Sequence, residues 1–181
     1  PSYGIVPAHG QIPGPPGTLT LADLAVAGPM ARSVKDLRVA LDIMSGPNRW
    51  ESPAWKLTLP PARKNEIGDY RIAAWLDDAH CPVQEDVRTL LENAASELTK
   101  AGATVDHAAR PAFSLEKVSH TFMALLQSAL AGGVSRDKIE EFARSTGRSS
   151  TDETRRLFAM RHREWLSFNE RRMQMRKRWE E

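Results

Sequence analysis

A serine and a lysine stand at a spacing that is used for nucleophilic catalysis. Ser114 and Lys117 form the pattern Ser-x-x-Lys, in which a lysine can activate a serine for acyl transfer. The companion patterns Ser-Asp-Asn and Lys-Thr-Gly are absent from the sequence. Ser114 also stands directly before an apolar run with helical spacing, where a serine hydroxyl caps the helix. We therefore interpret Ser114 as a helix cap and assign the pair no catalytic role.

The single cysteine and the five histidines suggest no reactive site either. Cys81 follows His80, but neighbours in sequence rarely turn the imidazole toward the sulfur. The other histidines show no paired ligand spacing, so no metal site is predicted; they are His9, His107, His120 and His162. One cysteine excludes an internal disulfide and is compatible with a reducing compartment, so we expect a cytoplasmic protein.

The segment 24–47 organises the chain. Leu24–Ala27 is small and apolar, as in a buried segment, and Gly28-Pro29 ends it. Ser33 and Asp36 then form a capping pair that opens a helix, and Gly46-Pro47 ends that helix. The predicted apolar face of the helix comprises Val34, Leu37, Ala40, Leu41 and Met44.

Residues 70–113 are typical of a strand, a helix and a second strand. The run 70–76 has the composition of a buried strand, and 103–106 that of a short returning strand. A crossover of this length implies a parallel pair, hence α/β architecture. Between them the most regular periodicity in the chain predicts a helical face of Val87, Leu90, Leu91, Ala94, Ala95, Leu98 and Ala101.

The second half of the sequence is rich in helices. Ser114 opens a helix that ends at Gly132-Gly133, and a shorter one follows at about 136–145. A capping box at Ser150–Glu153 predicts one long helix running toward the C-terminus. This helix is basic, and its basic residues could bind a nucleic acid or a membrane surface. Glu164 and Glu170 favour instead a solvated, ion-paired face. The apolar residues interleaved with the basic ones are Phe158, Trp165, Met173 and Trp179.

Composition sets limits on the protein class. The 181 residues suffice for one domain with a core, and no apolar run approaches the length of a membrane span. A net charge of +2 is too balanced to imply a polyanionic partner for the whole chain. We expect neither a nucleic-acid nor a membrane partner.

Two motifs resemble the amidase signature family. The run GPMARSVKDLRVALDIMSGP at 28–47 is similar to a segment that follows that family's nucleophile, and PSYGIVP at 1–7 to the stretch after its serine loop. The Pro- and Gly-rich residues 8–17 are interpreted as a structural loop. The family's glutamyl-tRNA amidotransferase subunits usually carry a short segment of the Ser-Ser-Leu-Asp type just before the Gly-Pro. Here Asp23 lies further from Gly28-Pro29, which favours a free-standing amidase of small molecules.

The resemblance implies a mixed β-sheet flanked by helices and hydrolysis of an amide, or of an ester or carbamate, through an acyl-serine. It implies no metal or organic cofactor. The family's Ser–Ser–Lys triad matches no residue here, so we expect this chain to be an internal slice of an amidase whose triad lies upstream. The chain by itself is expected to be inactive. Tyr3 and His9 are the candidates for binding substrate, since they lie nearest the missing loop. The alternative is a non-catalytic amidase-like scaffold or interaction module.

The predicted organisation is a single partial amidase domain over 1–181. It comprises a motif segment at 1–47, an irregular connection at 48–69, the strand–helix–strand unit at 70–113, and a helical pocket or cover region at 114–181. Trp50 and Trp55 are expected to pin the connection to the body. The expected partners are a small amide substrate and the rest of the amidase polypeptide. Uncovered apolar surface would also allow a homo-oligomer.

Overall fold

A computed structural model describes residues 3–9, 19–20 and 24–180. They form two compact units, one reaching to Pro61 and the other starting at Ala62. Most of the predicted structural loop at 8–17, and residues 18 and 21–23 with Asp23, lie outside the described residues. The described elements include six α-helices and two β-strands.

The first unit contains helix α1, Val34–Met44. The Ser33 hydroxyl accepts a hydrogen bond from the Asp36 N–H at 3.1 Å, which confirms the predicted cap. The reciprocal bond to the Asp36 side chain is not among the described contacts. After the helix, Gly46 adopts φ 134°, a conformation that favours glycine.

Burial in this unit differs from the prediction. No residue of α1 is fully buried. Leu37, Ala40 and Leu41 are partly covered, whereas Val34 is 82% exposed, so the expected apolar face is only partly covered among the described residues. Of the preceding apolar segment only Ala27 is buried. Periodicity identified the helix correctly, because capping and spacing act locally, while burial depends on what lies opposite.

The second unit begins with the predicted α/β element. Strands β1, Arg71–Ala73, and β2, Thr104–Asp106, are parallel, with Ile72 opposite Val105. Helix α2, Glu85–Lys100, connects them and packs against β2. Gly102 ends the helix with φ 100°. The strand–helix–strand prediction is thus confirmed, although β1 is shorter than the predicted 70–76, and Ala95 is the one buried residue of α2.

Four more helices complete this unit. Helix α3 covers Leu115–Leu130, α4 Arg136–Ala143, α5 Ser150–Phe158 and α6 His162–Glu180. Helix α3 packs against α5 and α6, and α4 against α5. The core of this group consists of Thr121, Ala124, Leu125, Gln127 and Met175.

The prediction of one long C-terminal helix from residue 150 is wrong, because the chain breaks between α5 and α6. The Glu164 side chain accepts a hydrogen bond from the Arg161 N–H at 2.9 Å, so a new helix starts there. Neither glycine nor proline marks the break, which is why the pattern missed it.

Asp152 organises the junction of α4 and α5. Ser149 caps α5 by accepting from the Asp152 N–H, and the carboxylate accepts in return from the Ser149 N–H. The box therefore begins one residue before the predicted Ser150. The Ser145 hydroxyl donates to the same carboxylate at 2.8 Å. Hydrogen bonds from Ser149 and then Ser145 lower the pKa of Asp152 below its ordinary value of 3.8.

Gly147→Ala should destabilise the chain by displacing this carboxylate. A Cβ atom at position 147 would overlap the Asp152 side chain, which its hydrogen bonds hold in place. We expect a loss of about 1–3 kcal/mol, the range for overpacked sites. The free energy of unfolding in urea measures it, and Gly133→Ala, which meets open space, is the matched control. In an Asp152→Ala background the same substitution should cost much less, and additive losses would contradict this account.

The stabilisation by Asp152 should also depend on pH. Because its pKa is lowered by folding, its contribution is present above the ordinary value of 3.8 and is lost as the pH falls through the folded value. The stability gap between the unaltered chain and Asp152→Asn should therefore narrow as the pH is lowered below about 4.

Candidate functional site

A cavity of about 310 Å³ lies in the first unit. Both predicted substrate-binding residues, Tyr3 and His9, line it. Its walls are mostly apolar or aromatic with a few polar groups, the usual character of a small-molecule site. The described lining residues are Tyr3, Gly4, Val6, Pro7, Ala8, His9, Ala25, Gly46, Asn48, Glu51 and Trp55.

One wall of the cavity is the segment that carries Tyr3 and His9. The Gly46 N–H donates to the Ile5 carbonyl at 2.9 Å, which fixes this segment beside the end of α1. Val6 is 7% exposed and anchors it. The His9 ring meets Trp50 edge to face, with 5.1 Å between ring centroids. A backbone bond, an apolar anchor and a ring contact therefore position the two candidates.

A turn at 48–55 forms the other wall. Asn48 Oδ1 accepts from the N–H groups of Trp50 and Glu51, both at 3.0 Å. The Trp55 N–H donates to the Glu51 carbonyl at 3.2 Å. Glu51 and Trp55 are thus one helical turn apart, and both reach the cavity.

The two tryptophans are less buried than their predicted pinning role requires. Trp50 is 61% exposed and Trp55 41% exposed. Trp50 contacts His9 and carries the Arg49 guanidinium 4.5 Å above its ring. Trp55 lines the cavity, and Trp50 contacts the lining residue His9, in a stretch that the sequence had predicted to be an irregular connection.

Outside the cavity, Ser114 and Lys117 do not form a catalytic pair. The Ser114 hydroxyl accepts from the backbone N–H of Lys117 at 3.3 Å and caps α3, as the sequence predicts. Among the described residues no serine hydroxyl is hydrogen bonded to a lysine amine.

Cys81 is exposed in the loop after β1. The His80 N–H donates to Asp78 Oδ1 at 2.9 Å, and no contact between the His80 ring and the Cys81 sulfur is described. Within the described ranges no three residues of the histidine, cysteine, aspartate and glutamate types are grouped for a metal ion.

The C-terminal end of the basic helix α6 contacts the segment that precedes α3. Arg178 donates to the Ala112 carbonyl at 3.0 Å, and Trp179 meets Phe113 edge to face. The Glu164 carboxylate accepts a hydrogen bond from the Arg161 backbone N–H, and that of Glu170 accepts one from the Gln174 amide. The ion-paired face stays a prediction. Met175 is buried, whereas Met173 is 48% exposed and Trp179 61% exposed. None of the described helices combines the length and apolarity needed to cross a bilayer.

The sequence itself identifies the class of protein. A sequence model of the amidase family matches residues 1–180. The chain therefore belongs to the amidase family, which confirms the resemblance carried by 1–7 and 28–47 and supports an amide hydrolase at the level of the family. No curated protein and no solved structure shows a significant match to it.

Three residues of the cavity were missed from the sequence. Asn48, Glu51 and Trp55 belong to a Pro-rich stretch that has no periodicity and was interpreted as a connection. The Asn48 turn and the four-residue spacing of Glu51 and Trp55 were available signals. They indicate a fixed turn, but they do not show what it faces.

Proposed function

We propose that this chain is part of an enzyme that hydrolyses carboxylic amides, or related esters or carbamates, through an acyl-serine. The match to the amidase family over 1–180 is the observation that carries the proposal. The nucleophilic serine, the second serine and the lysine are proposed to lie outside residues 1–181, because no residue of the chain matches them.

The proposed reaction proceeds in two steps. The serine oxygen attacks the amide carbonyl carbon while its proton passes through the second serine to the lysine, and backbone N–H groups stabilise the oxyanion. The C–N bond then breaks as the departing nitrogen takes a proton. Water attacks the ester carbonyl, releases the carboxylic acid and restores the serine.

Within this scheme the chain supplies scaffold and a wall of the substrate cleft. The cavity supports that role, because Tyr3 and His9 line it together and no lysine or arginine is among its described lining residues. The segment that carries them resembles the stretch after the family's serine loop. Residues 114–181 are proposed to contribute a pocket or cover.

Tyr3→Ala and His9→Ala should weaken substrate binding in the enzyme that contains this chain. Each removes a wall of the cavity and no reacting group, so we expect KM to rise several-fold to about tenfold while kcat changes much less. Steady-state kinetics on the expressed reading frame around residues 1–181, with aryl amides, measures both constants.

Tyr70→Ala and His107→Ala are the matched controls, since neither residue lines the cavity. An unchanged KM in both test variants would show that the cavity is not part of the substrate cleft. A reading frame that neither hydrolyses amides or esters nor forms an acyl-serine would overturn the hydrolase proposal in favour of a non-catalytic scaffold.

A further inference from the structure

Glu51 lines the cavity and is exposed to solvent. Its carboxylate makes no ion pair with any described residue. The described lining contains neither lysine nor arginine. The nearest cation in sequence, Arg49, lies over the Trp50 ring. A ligand with a positive charge would therefore meet an unused counter-charge here.

The backbone around Glu51 is fixed before any ligand arrives. The Asn48 side-chain oxygen accepts hydrogen bonds from the backbone N–H groups of Trp50 and Glu51. The Asn48 backbone carbonyl accepts a third, from the Ser52 N–H at 2.9 Å. The Glu51 carbonyl in turn accepts from Ala54 and Trp55. Such preorganisation reduces the entropy that binding costs.

The rest of the wall also suits a cation that carries an apolar group. Tyr3 and Trp55 offer aromatic rings, whose faces attract cations. Val6, Pro7, Ala8 and Ala25 offer apolar contacts. A volume of about 310 Å³ is at the lower end for ligand sites, so the ligand is small.

We propose that this cavity binds a small organic cation, namely the protonated amine of a ligand with an apolar or aromatic body, with Glu51 as its counter-ion. A carboxylate ligand would be repelled by Glu51, and a neutral one would desolvate the carboxylate without a charged partner. A divalent metal would need several oxygen ligands, and Glu51 is the one carboxylate in the described lining. As a statement about the substrate of the amidase, the proposal rests on the proposed function.

The test compares three probes of similar shape on the 181-residue chain. Benzylammonium, benzyl alcohol and benzoate differ in charge, and titration calorimetry gives the Kd of each. Benzylammonium should bind roughly tenfold tighter than benzyl alcohol, the size of one charge-assisted hydrogen bond, and benzoate should bind weakest. The preference should weaken with added salt, because the site is partly exposed.

Glu51→Gln should remove the preference for benzylammonium while binding of benzyl alcohol persists. Asp42→Asn is the matched control, since it removes an exposed carboxylate of the same unit that does not line the cavity. Thermal unfolding checks that both variants fold. Equal binding of charged and neutral probes, no binding of any probe, or an equal loss in both variants would overturn the proposal.

Because these measurements need no turnover, they separate the two proposals. If the chain binds benzylammonium through Glu51 but the reading frame around it hydrolyses nothing, the cation site is supported and the hydrolase proposal is contradicted. If the reading frame hydrolyses amides but Glu51→Gln leaves all three Kd values unchanged, the hydrolase proposal is supported and the cation site is contradicted.

Discussion

The 181-residue chain alone should form no acyl-serine and hydrolyse no amide or ester. Acyl transfer needs a nucleophile, a base within hydrogen-bond reach and an oxyanion site placed together. Ser114 of the Ser114–Lys117 pair is used for capping, since it accepts the Lys117 backbone N–H. In the second pair at this spacing, Ser135 and Lys138, the lysine amine donates to the Glu141 carboxylate at 2.7 Å. Ser145 and Ser149 donate to the Asp152 carboxylate, which activates neither hydroxyl for attack on a carbonyl at neutral pH.

A fluorophosphonate probe, which labels activated serines, measures this result together with turnover of aryl amides and esters. We expect labelling at background for the isolated chain and stoichiometric labelling of one serine in the longer expressed reading frame. Ser114→Ala should change neither. The contrast is large, because an activated serine reacts many orders of magnitude faster than an ordinary one.

Two outcomes would contradict this expectation. Stoichiometric labelling of the isolated chain would place a nucleophile inside residues 1–181. Turnover that Ser114→Ala abolishes would show that Ser114 has a chemical role beyond capping α3. Either result would also revise the proposed position of the triad.

Local structure was predicted well from the sequence. Ser33 and Ser114 cap their helices as predicted, and the parallel pairing of β1 with β2 follows from the length of the crossover. These features depend on residues close in sequence or on general rules of connection. The break before α6 was missed, because a Glu164 side chain creates it without any helix-breaking residue.

Burial was predicted poorly, because it depends on partners that periodicity does not identify. Leu90 on α2 and Val34 on α1 lie on regular apolar faces, yet they are 69% and 82% exposed. On α3 the buried set includes Thr121 and Gln127, which no apolar pattern would select. Apolar spacing therefore identified the helices and not the contacts they make.

The candidate site was predicted in part. Tyr3 and His9 were chosen for their place beside a motif, and the structure brings both to one cavity. That they bind substrate stays a prediction. Glu51 was missed, because its position depends on a turn held by Asn48 and on the bond from Gly46 to Ile5, a contact between residues distant in sequence.

The core between α3 and α6 leads to the largest expected effect on stability. Leu125 on α3 is 2% exposed and is the largest fully buried side chain described. Leu125→Ala removes that apolar contact and leaves a cavity that the surrounding helices fill only in part. We expect a loss of about 2–5 kcal/mol in the free energy of unfolding, measured by urea denaturation. A loss of this size is a large fraction of the stability of an ordinary domain.

Leu130→Ala provides the matched control, because it makes the same chemical change on the same helix at a side chain that is 54% exposed. Since both substitutions remove the same atoms and the helix propensities of leucine and alanine differ little, the difference between them mainly reports burial. We expect Leu130→Ala to cost less than about 1 kcal/mol, as most exposed substitutions do. Equal losses would mean that α3 does not pack through Leu125 in solution. A larger loss at Leu130 would mean that another surface of α3 is the buried one.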